Sequence, residues 1–99
     1  MKYTLIQTSE FSAWMSRLRD RQALKAISIR LVRAASGNLG DIKSLGEGVS
    51  EMRVFVGKGY RVYFTFRGDH LILLLMGGSK SSQTADVAKA KKLIKVLKE

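Results

Sequence analysis

The chain has 99 residues, with 18 Lys and Arg against 8 Asp and Glu, a formal net charge of +10, and neither Cys nor Pro. That length makes residues 1–99 one domain around one modest core, and the lack of cysteine excludes disulfides, thiolate zinc sites and thiol nucleophiles. The single His leaves no basis for a zinc site, the longest apolar run, Leu71–Met76, is too short to span a bilayer, and Met1-Lys2-Tyr3-Thr4 leads into no secretory apolar segment, so a cytoplasmic protein without membrane association is expected.

Tyr3-Thr4-Leu5-Ile6-Gln7 reads as an opening strand, and Thr8 or Ser9 offers a helix N-cap with Glu10 in the first turn. Phe11, Trp14, Met15 and Leu18 follow at helical spacing, Trp14 as a core anchor. After a break at Asp20-Arg21, a second helix is predicted over about 22–36. Leu24, Ile27, Leu31 and Ala34 form its buried stripe, Arg21, Lys25, Arg30 and Arg33 its outer surface, and Gly37 its C′ residue. Gly37-Asn38-Leu39-Gly40-Asp41 and Gly46-Glu47-Gly48 read as turns within a loop. No Gly-Lys-Ser/Thr of a phosphate-binding loop follows them, and no cofactor is expected. Three strands are then predicted, 51–56, 60–67 and 71–76, joined by hairpin turns at 57–59 and 68–70. A final helix over about 84–98 carries Val87, Ala90, Ile94 and Leu97 on one side and Lys91, Lys92, Lys95 and Lys98 on the rest. The fold class is α+β, in the order β-α-α-β-β-β-α.

The register of the first hairpin decides which side chains share a face. A two-residue loop would place Arg61 among Met52, Val54 and Val56. A three-residue loop, with Gly59 in the left-handed bulge position, pairs Val56 with Tyr60 and separates the chemistry. One face then holds Met52, Val54, Val56, Tyr60, Val62, Phe64 and Phe66, for the two N-terminal helices to cover. The other holds Glu51, Arg53, Phe55, Arg61, Tyr63, Thr65 and Arg67. Arginines interleaved with aromatic rings suit RNA, because guanidinium forks bind phosphate oxygens and flat rings stack on bases. Lys58 at the hairpin tip, with Tyr63 and Arg67 on the face, are the candidate RNA contacts. A plain solvated sheet face remains the alternative.

Basic residues are spread along the chain, seven against two acidic in 1–36, six against four in 37–83 and five against two in 84–99. A cationic body of this kind suits a polyanionic partner. The sequence has no Gly-x-Ser-x-Gly elbow and no clustered carboxylates to hold magnesium, and His70 falls at a hairpin tip. What the residues allow is metal-free RNA cleavage, in which the ribose 2′-OH attacks the adjacent phosphate. Arg53 and Arg61 supply positioning and charge neutralisation. Glu51 is the candidate base, although a carboxylate beside arginine has a lowered pKa.

Several stretches together resemble the RelE/ParE superfamily of bacterial toxins, and specifically its HigB-like addiction-module killer branch. They are Glu10-Phe11-x-x-Trp14, Gly37-Asn38-Leu39-Gly40-Asp41, Glu51-Met52-Arg53-Val54, Gly59-Tyr60-Arg61-Val62-Tyr63-Phe64 and Leu74-Leu75-Met76-Gly77-Gly78-Ser79-Lys80-Ser81-Ser82-Gln83. The resemblance implies a RelE-like fold, an antiparallel-rich sheet packed against two N-terminal helices. It also implies a type II toxin that cuts mRNA in the ribosomal A site and is silenced by a cognate antitoxin. That antitoxin commonly carries a helix-turn-helix domain, so operator DNA is met only through it. By the same resemblance Arg61 stabilises the transition-state phosphate, Arg53 is a second phosphate contact, Lys80 is a basic catalytic or binding group, and Gln83 belongs to the RNA-binding motif. Residues 77–99 contain neither Tyr nor His, so no general acid is assigned. A ParE-like gyrase poison and a non-enzymatic RNA-binding module stay open as alternatives.

Overall fold

Two side chains set the entry of the chain into its helices. A computed structural model describes residues 2–97; the predicted helix end at Lys98 lies outside them. The first strand, β1 (Thr4–Gln7), ends at Thr8, whose Oγ1 accepts from the Phe11 N–H at 3.1 Å and donates to the Leu75 carbonyl at 2.7 Å. One hydroxyl thus caps α1 (Ser9–Arg17) and ties it to the sheet. Asp20 does the same for α2 (Arg21–Ala35): it accepts from the Ala23 N–H at 3.0 Å and from the Tyr60 hydroxyl at 3.1 Å. At the other end of α2, Gly37 takes φ +102°. Its N–H bonds the Ala34 carbonyl while Asn38 N–H bonds that of Arg33, the paired closure of a Schellman motif.

The stretch expected to be loop contains a strand. β2 (Ile42–Gly46) pairs antiparallel with β3 (Val49–Val54) at the sheet edge. It has no period-two apolar face, because Ile42 packs toward one core and Leu45 toward the other. β4 (Tyr60–Arg67) and β5 (Leu71–Ser79) complete a five-stranded mixed sheet of order β1-β5-β4-β3-β2, in which β1 runs parallel to β5. A 3₁₀ turn at Lys80–Ser82 leads into α3 (Gln83–Val96).

The hairpin register differs from the expected one by two residues. Val54, not Val56, pairs with Tyr60, and residues 55–59 form the connection. Phe55 and Val56 leave the ladder because Val56 N–H turns back to the Val54 carbonyl and Gly59 N–H closes onto that of Val56. A two-residue shift preserves faces, so Met52, Val54, Tyr60, Val62 and Phe64 still share a side. They are buried with Phe11, Ala23, Ile27 and Ala34 of α1 and α2. Each large apolar side chain so enclosed contributes about 1.5–3 kcal/mol.

The second face, expected to be open to RNA or solvent, is largely covered. α3 lies across it, with Val87, Ala90, Leu93 and Ile94 against Val49, Tyr63 and Leu75. The sheet therefore carries helices on both sides, not only the two N-terminal ones. A bulge in β5 assists: Phe64 pairs with Leu74 but Tyr63 with Met76, so Leu75 is an extra residue and both it and Met76 turn toward α3. Just beyond, Gly77 and Gly78 leave room for two close approaches. A Cβ on Gly77 would meet the Trp14 ring at 2.4 Å, and one on Gly78 would fall within the Asp86 carboxylate. Among the described residues no helix is long and apolar enough to cross a membrane.

Candidate functional site

Arg53 and Arg61 sit directly opposite each other on β3 and β4, on the α3 side of the sheet. Their surroundings differ. Arg61 is only 7% exposed, and its Nε lies 3.4 Å from Oε1 of Glu51, which is 2% exposed. That contact is an ion pair but too poorly aligned for a hydrogen bond, and Arg61 Nε has no hydrogen-bond partner among the described residues. Gln83, at the start of α3, donates from Nε2 to Glu51 Oε1 at 3.0 Å. Arg61, Glu51 and Gln83 thus form one connected polar group at the margin of the α3 layer.

Arg53 is half-buried and points its fork at Asp41, with Nη2 at 2.7 Å and Nε at 3.3 Å from Oδ1. The hydrogen bond and charge of Asp41 raise the Arg53 pKa above its ordinary value. The guanidinium also lies 5.8 Å from the centroid of Phe55, a ring that is 72% exposed. Arg30, expected on the outer surface of α2, instead turns inward. Its Nη1 donates to the Arg53 carbonyl at 2.5 Å and its Nη2 to the carbonyls of Leu39 and Asp41 at 3.2 and 3.3 Å. Burial lowers its pKa, partly offset by Asp41. Arg30 therefore fixes the chain around both Asp41 and Arg53.

Beside this group is a shallow cleft of about 290 Å³, lined by residues 55–59, Arg61 and Lys80. The backbone holds its two walls together through a 3.0 Å bond from Lys80 N–H to the Gly59 carbonyl. Three cationic residues, Lys58, Arg61 and Lys80, line the cleft together with the exposed Phe55, and no acidic residue does. Such a set binds phosphate oxygens with charge-assisted hydrogen bonds.

Of the residues expected to act, then, Arg61, Lys58 and Lys80 meet at one cleft, and Arg53 flanks it through Phe55. Gln83 and Glu51 stand behind Arg61, bonded to each other. Two expected RNA contacts are elsewhere. Tyr63 is fully buried under α3, since the same face that carries the arginines is the one α3 covers. Arg67 lies at the far end of β4, where its Nη2 donates to the Leu97 carbonyl at 2.8 Å. Glu51, expected as a base, does not line the cleft, and its carboxylate is already occupied by Gln83 and Arg61. Phe55 was legible as an aromatic on the arginine face; its place at the cleft follows from its exit from the ladder. The roles of Arg30 and Asp41 left no signal in the sequence, because Arg30 reaches β3 from α2 and Asp41 reaches it from the loop before β2. Among the described residues, no group of three or more acidic or His side chains is arranged to hold a metal ion.

The Tyr63 hydroxyl has no hydrogen-bond partner among the described residues. Burial first, then the Glu51 and Asp86 carboxylates, push its pKa far above the ordinary phenol value. A raised folded pKa keeps the proton that the unfolded chain releases above about pH 10, so this group lowers stability as pH rises past that point. Tyr63→Phe should leave stability at pH 7 unchanged or raise it by about 1 kcal/mol, since an orphaned buried hydroxyl is removed. It should also flatten the decline above pH 10. Urea unfolding of both proteins across that range is the check; parallel pH profiles would show that Tyr63 does not control the decline.

No established protein-family profile matches the chain. A protein of Haemophilus influenzae described as uncharacterized is 42% identical over 90 residues, which span 91% of this chain and 91% of that protein. At that identity and coverage the chain belongs to the same family as the Haemophilus influenzae protein.

Proposed function

We propose that the protein is the toxin of a type II toxin–antitoxin module, a ribosome-dependent mRNA endoribonuclease of RelE-like fold and HigB-like type acting in the cytoplasm. The observation that carries this reading is a cleft lined by Arg61, Lys58 and Lys80, with no acidic residue, beside an exposed Phe55. The likeness of Gly59-Tyr60-Arg61-Val62-Tyr63-Phe64 and the Gly77–Gln83 stretch to that branch supports it. In the proposed reaction the ribose 2′-OH attacks phosphorus, the P–O5′ bond breaks, and the products are a 2′,3′-cyclic phosphate and a 5′-OH. Arg61 and Lys58 hold the phosphate oxygens as charge builds. Lys80 donates a proton to the leaving 5′-oxygen, and the 2′-OH proton passes to solvent. A cognate antitoxin with a helix-turn-helix domain silences the toxin and connects it to operator DNA.

One observation favours a second reading. Glu51, the expected base, is buried and does not line the cleft, which suits a ParE-like gyrase poison that cuts nothing. Primer extension on a translated message separates the two. The nuclease should give codon-phased 5′ ends only when ribosomes are present. Lys58→Ala with Lys80→Ala should reduce them about 10³-fold, from about 10²-fold for the lost proton donor and about tenfold for the lost charged contact. Intact message together with stalled supercoiling would establish the gyrase reading instead. Intact message and unaffected supercoiling would leave a passive RNA-binding module.

A further inference from the structure

Arg61 has Arg53 as its partner across β3 and Gly78 across β5, so neither neighbouring strand offers it a negative charge directly opposite. Its counter-ion comes from two residues along the ladder, as Glu51 opposite Tyr63. Glu51 meets Arg61 through Nε, the inner nitrogen of the guanidinium, at 3.4 Å and without a hydrogen bond. The carboxylate is aligned instead to Gln83, whose Nε2 stands 3.0 Å from Oε1 and 3.4 Å from Oε2. A carboxylate only accepts, so the Gln83 amide must present its nitrogen there. Gln83 is itself held in place. Its backbone N–H bonds the Lys80 carbonyl, and the Lys80 N–H bonds that of Gly59 in the cleft wall. Nearby on α3, Asp86 accepts from Ser82 Oγ at 2.5 Å and packs over Gly78.

We infer that Gln83 is a positioning residue for Arg61: by holding the Glu51 carboxylate it prevents a bidentate Glu51–Arg61 pair and leaves the guanidinium available to an anion in the cleft. An unrestrained carboxylate beside a guanidinium takes two parallel N–H···O bonds, the strongest arrangement open to the pair. Both groups are buried here, so water does little to weaken that attraction. The amide occupies the carboxylate as a neutral donor, and it adds no charge that would push Arg61 away. The likeness to the toxin branch placed Gln83 among the RNA contacts, but its amide is engaged with Glu51 and it does not line the cleft. The effect on cleavage rests on the nuclease reading; the placement of the guanidinium does not.

Gln83→Met keeps the side chain's length and helix propensity and removes the donor. Glu51 should then close on Arg61. The Arg61 Nε proton, followed by nitrogen-edited NMR, should shift downfield and exchange about tenfold more slowly as it gains an acceptor. With ribosomes and a translated message, kcat should fall about tenfold, less than the loss from deleting an aligned donor outright. KM should stay within about twofold, because Lys58 and Lys80 still line the cleft. An unchanged Arg61 Nε proton would overturn the proposal whatever happens to cleavage, and so would full cleavage alongside a shifted one. A raised KM at unchanged kcat would make Gln83 an RNA contact instead. Cleavage lost only in proportion to the folded fraction, read by circular dichroism, would reduce it to a structural residue. A shifted Arg61 proton with no cleavage by either protein would count against the nuclease reading and leave the positioning of Arg61 standing.

Discussion

Truncation of Glu51 to alanine should destabilise the fold by about 3–5 kcal/mol, because it leaves the Arg61 charge buried without its counter-ion. The pair is enclosed, with side-chain exposures of 2% for Glu51 and 9% for Arg61, so water cannot replace the lost carboxylate cheaply. The contact itself is not the source of that number: Nε and Oε1 are 3.4 Å apart and poorly aligned. The cost is the desolvated guanidinium. Replacing both partners, Glu51→Leu with Arg61→Met, should therefore recover most of the loss, since neither charge remains to be solvated. Urea unfolding of Glu51→Leu, of Arg61→Met and of the double variant, read as a cycle beside Glu51→Ala, measures this directly. A Glu51→Ala change within about 1 kcal/mol of the parent would show that Arg61 reaches solvent without help.

The elements that local chemistry specifies were readable in advance. Thr8 caps α1 through a short side-chain bond and Gly37 closes α2, as their residue types require, whereas Asp20, read only as a break, is the N-cap of α2. Alternation along β3 and β4 correctly separated Met52, Val62 and Phe64 from Glu51, Arg61 and Tyr63, since period two fixes the face. It does not fix the register, because a slip of two residues conserves every face, and Phe55 and Val56 left the ladder unnoticed. β2 stayed hidden because its two apolar residues serve opposite cores. The apolar side of α3 was visible in Val87, Ala90 and Ile94, but no periodicity says which surface such a helix will cover. That single gap turned an expected open face into a largely buried one, removed Tyr63 from the site, and shrank the accessible chemistry to the cleft at the sheet's end.

On the nuclease reading proposed above, Arg61→Lys should lower message cleavage about 10²–10³-fold, the loss seen when one aligned donor to a reacting oxyanion is removed, with stability shifted by only about 1 kcal/mol. Lysine keeps the positive charge opposite Glu51, so the uncompensated-charge penalty does not arise. What it loses is the planar fork, which can face Glu51 on one side and phosphate oxygens on the other at the same time. An ammonium at that depth has one charge centre, and Glu51 is the nearer claimant. Cleavage should fall in kcat more than in message binding, because Lys58 and Lys80 still line the cleft. Primer extension at matched translation, alongside urea unfolding, separates the two effects. Full cleavage by a stable Arg61→Lys protein would remove the bidentate phosphate role and leave Arg61 as a counter-ion for Glu51.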